Sequence, residues 1–417
     1  MKRWLAAILA SLALLLAART ARGASFLDRP WGTPEAGLSA RSRAMGGTGV
    51  ALANGAWSLA DNPAALALAG GSRVHAAGGV LRASENRFVP LFDTFDSFVD
   101  EGAIAINDHA YASLSGGVAW DPRRWRGVVL AAGVLDRLDP RYDYYDERRT
   151  TATTDQIVSE RFIRTRGVLR SASVGAALPL RGGTGVGLAF HRWFGTLEDR
   201  DALVSRAPGV SGRVTALSRR ITGHSFSLGA TWRANERLDV GLAYETAPRL
   251  HDDFTRWQDD SIVSAPQSSV DARLPSRLAF GAAYRPRNAF RTTLALDAVY
   301  TPWSELEDPL LPGADFLDTW DVRIGLEHIY YNALPGRIGF RYARSYALRE
   351  ADRATFTFGI GHRMGRVALD LSGEAGKRNS RQEPLWPRDE QGPAVGAGRD
   401  RVEDTVLRVF LGAELGF

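Results

Sequence analysis

The sequence predicts an all-β protein, a transmembrane antiparallel β-barrel of about 14 strands. Three observations predict this fold class: an N-terminus typical of exported proteins, a last strand that alternates with a period of two residues, and an alternation of short and long connections between strand-like stretches. Together they indicate a wall with lipid on one side and polar side chains on the other.

The N-terminus has the pattern of a secretory signal peptide. Lys2 and Arg3 precede an apolar run over residues 4–18, which is shorter than the roughly 20 residues that a spanning helix needs. We expect residues 1–24 to be removed; an uncleaved anchor is the alternative. No later apolar run reaches the spanning length, so a mature chain that crosses a membrane must do so as the strands of a closed barrel.

The last stretch, residues 404–417, alternates in the way that a barrel strand requires. Small or polar residues, among them Arg408, Glu414 and Gly416, alternate with mainly apolar ones. The mainly apolar set is Thr405, Leu407, Val409, Leu411, Ala413 and Leu415. One face therefore suits lipid and the other suits a polar lumen. A soluble β-sandwich is the alternative for a single strand of this kind.

Fourteen candidate strands fill residues 72–417, which we predict to be the barrel. They lie near 72–83, 111–120, 127–138, 166–179, 183–195, 222–233, 237–247, 276–285, 290–302, 319–331, 336–346, 353–363, 366–376 and 403–417. Short turns alternate with polar loops, the longest near 84–110, 139–165, 196–221, 248–275 and 377–402. Bacterial outer-membrane barrels have short periplasmic turns and long extracellular loops, so both ends of the barrel are expected in the periplasm.

Aromatic residues recur near the predicted strand ends. They are Trp120, Trp193, Trp232, Tyr284, Tyr300, Trp303, Tyr330 and Tyr331. In a membrane protein this position predicts interfacial girdles. Taken singly, each of these residues could instead cover the edge of a soluble core.

Composition and motifs exclude several classes of function. The chain has no cysteine, which excludes disulfides, thiolate zinc sites and a cysteine nucleophile. The formal net charge of +5 falls to +1 without the four basic residues of the leader, so nucleic acid is not an expected partner. Neither a His-Glu-x-x-His nor a Gly-x-Ser-x-Gly motif occurs. We expect no enzyme activity, no cofactor and no metal.

Residues 25–71 do not resemble barrel strands, and we predict that they form a plug. Gly46, Gly47 and Gly49 allow positive φ angles or a close backbone approach, and Pro63 holds Asn62 out of the helical region. The flanking alanine-rich stretches are small enough to pack inside a crowded lumen. A phosphate-binding loop at 46–49 is disfavoured, because no Lys-Ser/Thr follows.

Residues 40–67 strongly resemble the N-terminal signature of the FadL/TodX-type (OmpP1-like) outer-membrane transporters of hydrophobic compounds, and of the related PorV-type barrels. The matching positions are Gly46 and Gly47, the small residues 50–53, and Asn62-Pro63-Ala64. The resemblance implies a fourteen-stranded barrel in which this segment folds back into the lumen as a hatch. It covers about 28 residues and does not extend to the barrel wall.

The residues predicted to face the lumen carry charges of both signs. Such charges most often pair across strands and brace the wall. Arg323, Arg341 and Arg408 are weak candidates for binding a ligand carboxylate, which a fatty acid would present. No spacing distinguishes one of the three.

The resemblance predicts an outer-membrane transporter for long-chain fatty acids or other hydrophobic compounds, which the extracellular loops would capture and the hatch would admit. Expected partners are hydrophobic small molecules, outer-membrane lipid and the barrel assembly machinery. A PorV-type scaffold for protein secretion or surface attachment is the alternative. A general diffusion pore for polar solutes is a third hypothesis, which a hatch argues against.

Deletion of Phe417 is expected to lower the amount of assembled, heat-modifiable protein. The resemblance to outer-membrane proteins implies that the assembly machinery recognises the last strand and its aromatic terminus. Gel mobility with and without heating measures the assembled fraction. Normal assembly of the truncated chain would contradict this role and leave Phe417 as an ordinary end of the last strand.

Overall fold

The computed structural model describes residues 25–93, 95, 97–122, 125, 127–149, 156–206, 212–259, 261–265, 268–287, 291–330, 333–386 and 399–417. The predicted signal peptide, residues 1–24, lies outside this range. Among the described residues, no helix is long and apolar enough to span a membrane.

Fourteen antiparallel strands form a closed barrel, as predicted. They are β1 (Arg73–Phe92), β2 (Phe98–Trp120), β3 (Val129–Asp139), β4 (Leu169–Pro179), β5 (Thr184–Ser205), β6 (Arg213–Asn235), β7 (Leu238–Glu245), β8 (Arg277–Tyr284), β9 (Arg291–Thr301), β10 (Thr319–Ile329), β11 (Pro335–Ala343), β12 (Arg353–Met364), β13 (Val367–Gln382) and β14 (Asp400–Gly416). Pairing of β1 with β14 closes the wall. Residues 72 and 417 meet at one end, here called proximal, where the Phe417 amide donates to the Ser72 carbonyl (3.0 Å). The opposite end is called distal.

Strand alternation separates a lipid-type outer face from a polar inner face. In β7, Leu238, Val240, Leu242 and Tyr244 lie on the outer face, whereas Asp239 and its inward neighbours Gly241, Ala243 and Glu245 are buried. Large apolar side chains are exposed on the outer face of most strands. A continuous exposed apolar band of this kind suits a membrane and not water.

The five long stretches predicted as loops are mostly strands. β1 extends to Phe92 and β2 begins at Phe98, so residues 84–110 form a hairpin. β5 and β6 likewise reach Ser205 and Arg213, and β13 and β14 reach Gln382 and Asp400. Tyr142–Arg149, Ile157–Arg166, Arg249–Gln258, Ser261–Ile262 and Ser268–Arg273 are further strands at the distal end. These parts lack the continuous apolar outer face of the wall, so their sequence does not distinguish a protruding strand from a loop.

Two of the predicted girdle residues face inward instead. Trp193 and Trp303 are buried, and Trp303 stacks on Tyr346 with ring centroids 4.2 Å apart. This pair belongs to an apolar cluster in which loop residues cover the distal side of the lumen. Trp120, Trp232, Tyr284 and Tyr330 are exposed near proximal strand ends, as predicted. Tyr331 lies outside the described residues.

Residues 25–71, here called the N-terminal segment, contain only short elements. These are the 3₁₀ turns Phe26–Asp28, Gly55–Trp57 and Pro63–Leu68, the two-residue strand Thr33–Pro34, and the helical turns Ala40–Ala44 and Ser58–Asp61. Most of its side chains are buried. They pack against the inner face of strands around the barrel, which explains how helices too short to be stable alone are held.

The wall has glycine where the N-terminal segment crosses it. A Cβ atom on Gly187 would lie 2.4 Å from the Ala64 nitrogen, and one on Gly339 would lie 2.2 Å from the Gly46 nitrogen. Backbone atoms of the segment lie equally close at Gly241 and Gly325, and its side-chain atoms would lie within 2.8 Å of a Cβ atom on Gly117, Gly175, Gly229 or Gly359. No larger residue fits where one backbone lies directly against another. The glycines therefore make room for the N-terminal segment to lie directly on the wall.

Replacing Gly187 with alanine is expected to displace the Pro63–Ala64 contact, because the added methyl group would overlap backbone atoms. Overpacking of this kind costs about 1–3 kcal/mol. The expected result is a lower midpoint of thermal unfolding and a higher bilayer conductance of the purified barrel. Gly116 on the outer face is the control position, since the nearest atom to a Cβ added there would be 3.3 Å away. Equal behaviour of Gly187→Ala and Gly116→Ala would contradict the close-approach account.

Candidate functional site

A cavity of about 150 Å³ lies between the N-terminal segment and the residues that cover the distal side of the lumen. Its apolar lining comes from Leu38 and Ala60 of the N-terminal segment and from Trp193, Leu274 and Val299 of the barrel. Seven arginines also line it, namely Arg137, Arg277, Arg323, Arg341, Arg344, Arg353 and Arg378. Six carboxylates line it as well, among them Asp61, Glu245 and Asp321, so the distal cavity combines an apolar surface with charges of both signs.

Six of these arginines have carboxylate partners. Arg137 contacts Glu245 (2.5 Å), Arg323 and Arg341 each contact Asp321 (2.8 Å), Arg344 contacts Asp352 (3.9 Å), and Arg353 and Arg378 contact Asp28 (3.7 and 3.2 Å). Arg277 differs, because its Nη1 donates a 2.6 Å hydrogen bond to the Ala60 carbonyl. Within the described ranges it forms no ion pair. Arg277 is thus a cavity arginine that holds the N-terminal segment through a neutral group.

The three arginines predicted from the sequence are all held by carboxylates. Arg323 also donates to the Gly47 carbonyl (3.0 Å), and Arg408 contacts Glu35 of the N-terminal segment (3.0 Å). Arg323 and Arg341 line the distal cavity, whereas Arg408 lines a smaller one nearby. These contacts favour the bracing interpretation, and binding of a ligand by any of the three stays a prediction.

Sequence reasoning missed Arg277, although a signal was present. In β8 the outward residues are Leu278 and Phe280, so Arg277 falls on the same inward face as Ala279 and Gly281. The other inward residues of this strand are small. An arginine at its start therefore has room to extend into the lumen. Its contact with Ala60 requires the path of the N-terminal segment, which strand alternation does not give.

A second cavity of about 350 Å³ lies at the proximal side of the N-terminal segment. Leu38 lines the distal cavity, and its neighbour Ser39 lines the proximal one. The two spaces are therefore separated at this point by a single layer of chain. Ser39 Oγ donates to Asn54 Oδ1 (2.7 Å), and Arg41 contacts Glu327 of the wall (2.7 Å), which holds this layer in place.

Asn62 joins the parts of the N-terminal segment to the wall. Its Nδ2 donates to the Val50 carbonyl (2.8 Å) and to the Ala230 carbonyl of β6 (3.1 Å). Its Oδ1 accepts from the Ala64 nitrogen (3.0 Å), which caps the 3₁₀ turn that begins at Pro63. This one amide thus satisfies three buried backbone groups.

The glycine pair of the motif forms a second junction. Gly46 and Gly47 both have positive φ angles, of 71° and 87°, which other residues rarely adopt. The Gly46 nitrogen donates to Thr357 Oγ1 (2.9 Å), and Thr357 in turn donates to the Ala44 carbonyl (2.9 Å). The chain can therefore reverse direction while it lies against the wall.

Buried ion pairs fix the rest of the N-terminal segment. Arg43 lies between Glu35 (3.0 Å) and Glu374 of the wall (3.2 Å). Burial opposes ionisation of Asp28, but the guanidinium groups of Arg378 and Arg353 outweigh it and lower the pKa of that carboxyl. Asp28 is therefore ionised at neutral pH, and its pairing weakens only in acid, below its ordinary value of 3.8.

The wall is incompletely paired between β2 and β3. Backbone pairing covers only Gly116–Trp120 of β2, opposite Leu130–Val134 of β3. Further toward the distal end, β3 pairs instead with Thr33–Pro34 of the N-terminal segment. Arg141 spans this gap: it donates to the Ala112 carbonyl of β2 (2.9 Å) and contacts Asp139 (2.7 Å). Because β3 residues 136–138 line the distal cavity, the gap lies beside it.

Comparison with known proteins identifies the fold. No family model and no curated protein matches the sequence. Among solved structures, the chain is similar to a FadL homologue of Pseudomonas aeruginosa (TM-score 0.66, 14% identity, 93% of this chain and 99% of that one). It is also similar to the Pseudomonas putida toluene transporter TodX (0.62, 16%, 92% and 99%) and to the Ralstonia pickettii toluene transporter TbuX (0.60, 17%, 92% and 98%). The predicted FadL/TodX-type fold is confirmed; the likeness to PorV-type barrels stays a prediction.

Replacing Asn62 with aspartate is expected to destabilise the N-terminal segment, because the carboxylate keeps the acceptor but loses both donors. Leaving two buried carbonyls without a partner costs about 2–3 kcal/mol. The midpoint of thermal unfolding of the purified barrel measures the loss. Asn235→Asp is the matched control, since Asn235 uses only Oδ1, as the acceptor for the Arg237 and Leu238 nitrogens. Equal midpoints for the two variants would contradict the bridging role.

Proposed function

We propose that the protein is a bacterial outer-membrane transporter for hydrophobic or amphiphilic compounds. The observation that carries this proposal is a closed barrel whose lumen is filled by its own N-terminal segment, directly below a partly apolar cavity. An open polar pore would leave the lumen free. The solved structures of similar fold include channels and transporters for toluene and other monoaromatic hydrocarbons, which supports the class of cargo.

In this proposal the proximal end faces the periplasm and the N-terminal segment acts as a hatch. Cargo would enter from the distal side and occupy the distal cavity, where transfer of apolar surface supplies about 0.8 kcal/mol per buried methylene. Two exits adjoin that cavity. One is the single layer at Leu38–Ser39, and the other is the gap that Arg141 closes between β2 and β3.

The finer proposal concerns the cargo's head group. A long-chain fatty acid carries one carboxylate, and Arg277 is the cavity arginine without an ion pair among the described residues. A carboxylate bound by Arg277 would compete with the Ala60 carbonyl for the guanidinium donors. Binding of the head group would then loosen the hatch beside it, whereas a hydrocarbon such as toluene would use only the apolar lining.

Uptake of labelled long-chain fatty acid by cells that carry the protein tests this function. Saturable uptake is expected, and Arg277→Gln is expected to lower it by about 10- to 100-fold at low concentration, as the loss of a charge-assisted hydrogen bond predicts. Arg344→Gln is the control, because Arg344 lines the same cavity with only a 3.9 Å contact to Asp352. Toluene uptake should be unchanged by Arg277→Gln; equal losses for both compounds would assign Arg277 a bracing role.

A PorV-type scaffold is the second candidate function, and the protruding strands at the distal end favour it. They offer a broad surface for a bound protein, with exposed aromatics such as Phe95 and Phe98. A properly assembled barrel that takes up neither fatty acids nor small aromatic compounds would favour this alternative over transport.

A further inference from the structure

A buried charge cluster surrounds the start of the N-terminal segment at the distal end. It contains four carboxylates and three guanidinium groups, namely Asp28, Glu85, Asp400 and Asp404 with Arg87, Arg353 and Arg378. Arg87 contacts Glu85 (2.7 Å), and Arg378 contacts Asp404 (2.8 Å) and Asp28 (3.2 Å). The four negative and three positive side chains give the cluster a net charge of −1.

Two of the four carboxylates lie side by side on neighbouring strands. Glu85 of β1 and Asp404 of β14 are directly opposite each other in the strand register, and both are buried, with 3% and 1% exposure. Like charges in this position destabilise a sheet. Asp404 Oδ1 also lacks a hydrogen-bond partner among the described residues. Each of the two has one guanidinium partner, Arg87 for Glu85 and Arg378 for Asp404, so a further cation beside them would balance the remaining negative charge of the cluster.

Ser25 lies against both carboxylates. Its Oγ donates to Asp404 Oδ2 (2.8 Å), and the next backbone nitrogen, that of Phe26, donates to Glu85 Oε2 (3.4 Å). The side chain of Ser25 is itself buried, with 2% exposure. Its own α-nitrogen is three bonds from Oγ, so covalent geometry keeps it beside the same pair.

We propose that removal of the leader creates the missing cation, and that the α-ammonium group of Ser25 binds Glu85 and Asp404 and locks the N-terminal segment in the lumen. The inference rests on the predicted cleavage between Ala24 and Ser25, not on the identity of the cargo. Hydrolysis of that peptide bond leaves the carboxylate on Ala24 and a protonated amine on Ser25. An α-amine has an ordinary pKa of about 7.7–8.0 and stays protonated beside two carboxylates.

In the precursor the same nitrogen is an uncharged amide, so the cluster keeps its excess negative charge. Maturation would thus do more than release the chain from its leader. It would complete the anchor that holds residues 25–28 against the wall, and the plug would be fully seated only after processing.

Amine labelling of the assembled barrel tests this proposal directly. The chain from Ser25 onward has one lysine, Lys377, whose side chain is 56% exposed, so an acylating reagent meets only two amines. Mass spectrometry should find Ser25 as the first residue. Its α-amine should react at least about 100-fold more slowly than Lys377 in the folded barrel, and at a comparable rate after unfolding. An exposed, reactive α-amine or a different first residue would overturn the proposal.

A comparison of charge-neutralising variants in the normal and the extended chain tests the partner residues. Two glycines inserted before Ser25, with the cleavage site kept ahead of them, would move the ammonium away and lower the midpoint of thermal unfolding. Glu85→Gln should lower the midpoint of the normal chain but raise that of the extended chain, because it removes the uncompensated charge. Glu403→Gln, which removes a partly exposed partner of Lys377 and Arg401, is the control and should act equally in both. Equal effects of Glu85→Gln in the two backgrounds would contradict the proposal.

Discussion

The direct contact between the backbone of the N-terminal segment and the inner wall is the constraint on which the rest of the structure depends. A barrel of fourteen strands encloses more space than its own side chains fill. Here the space is filled by residues 25–71, and glycines such as Gly187 and Gly339 let them reach the wall. Because no side chain intervenes, each crossing needs a polar partner for the backbone, and Asn62 and Thr357 supply two of them.

Charged side chains in the lumen mainly anchor the N-terminal segment, and one of them, Arg277, is the proposed contact for a ligand head group. Most luminal arginines are used in ion pairs that join neighbouring strands or tie the N-terminal segment to the wall, as Arg43 and Arg378 do. Arg277 departs from this pattern, since it holds the N-terminal segment through a neutral carbonyl. A ligand anion can replace a carbonyl at lower cost than it can replace a carboxylate. In the proposed function, the same residue would hold the N-terminal segment and respond to a head group.

Much of the barrel could be predicted from the sequence, because alternation along a strand depends only on neighbouring residues. The strand from Leu238 to Glu245 shows this clearly. The protruding strands could not be predicted, since their outer faces lack a continuous apolar pattern. The proposed roles of Arg277 and Ser25 could not be predicted either. Both depend on contacts between residues more than 200 positions apart, which follow from the path of the N-terminal segment inside the barrel.

Reversible locking of the N-terminal segment tests the central claim most directly. Ala40 Cβ would lie 3.1 Å from a Cβ atom on Gly412, so cysteines at both positions are close enough to form a disulfide after a small shift. The chain has no other cysteine to interfere. The account predicts that oxidation of the Ala40→Cys, Gly412→Cys barrel stops fatty acid uptake and that reduction restores it. Unchanged uptake by the fully oxidised barrel would contradict the role of this segment as a moving hatch.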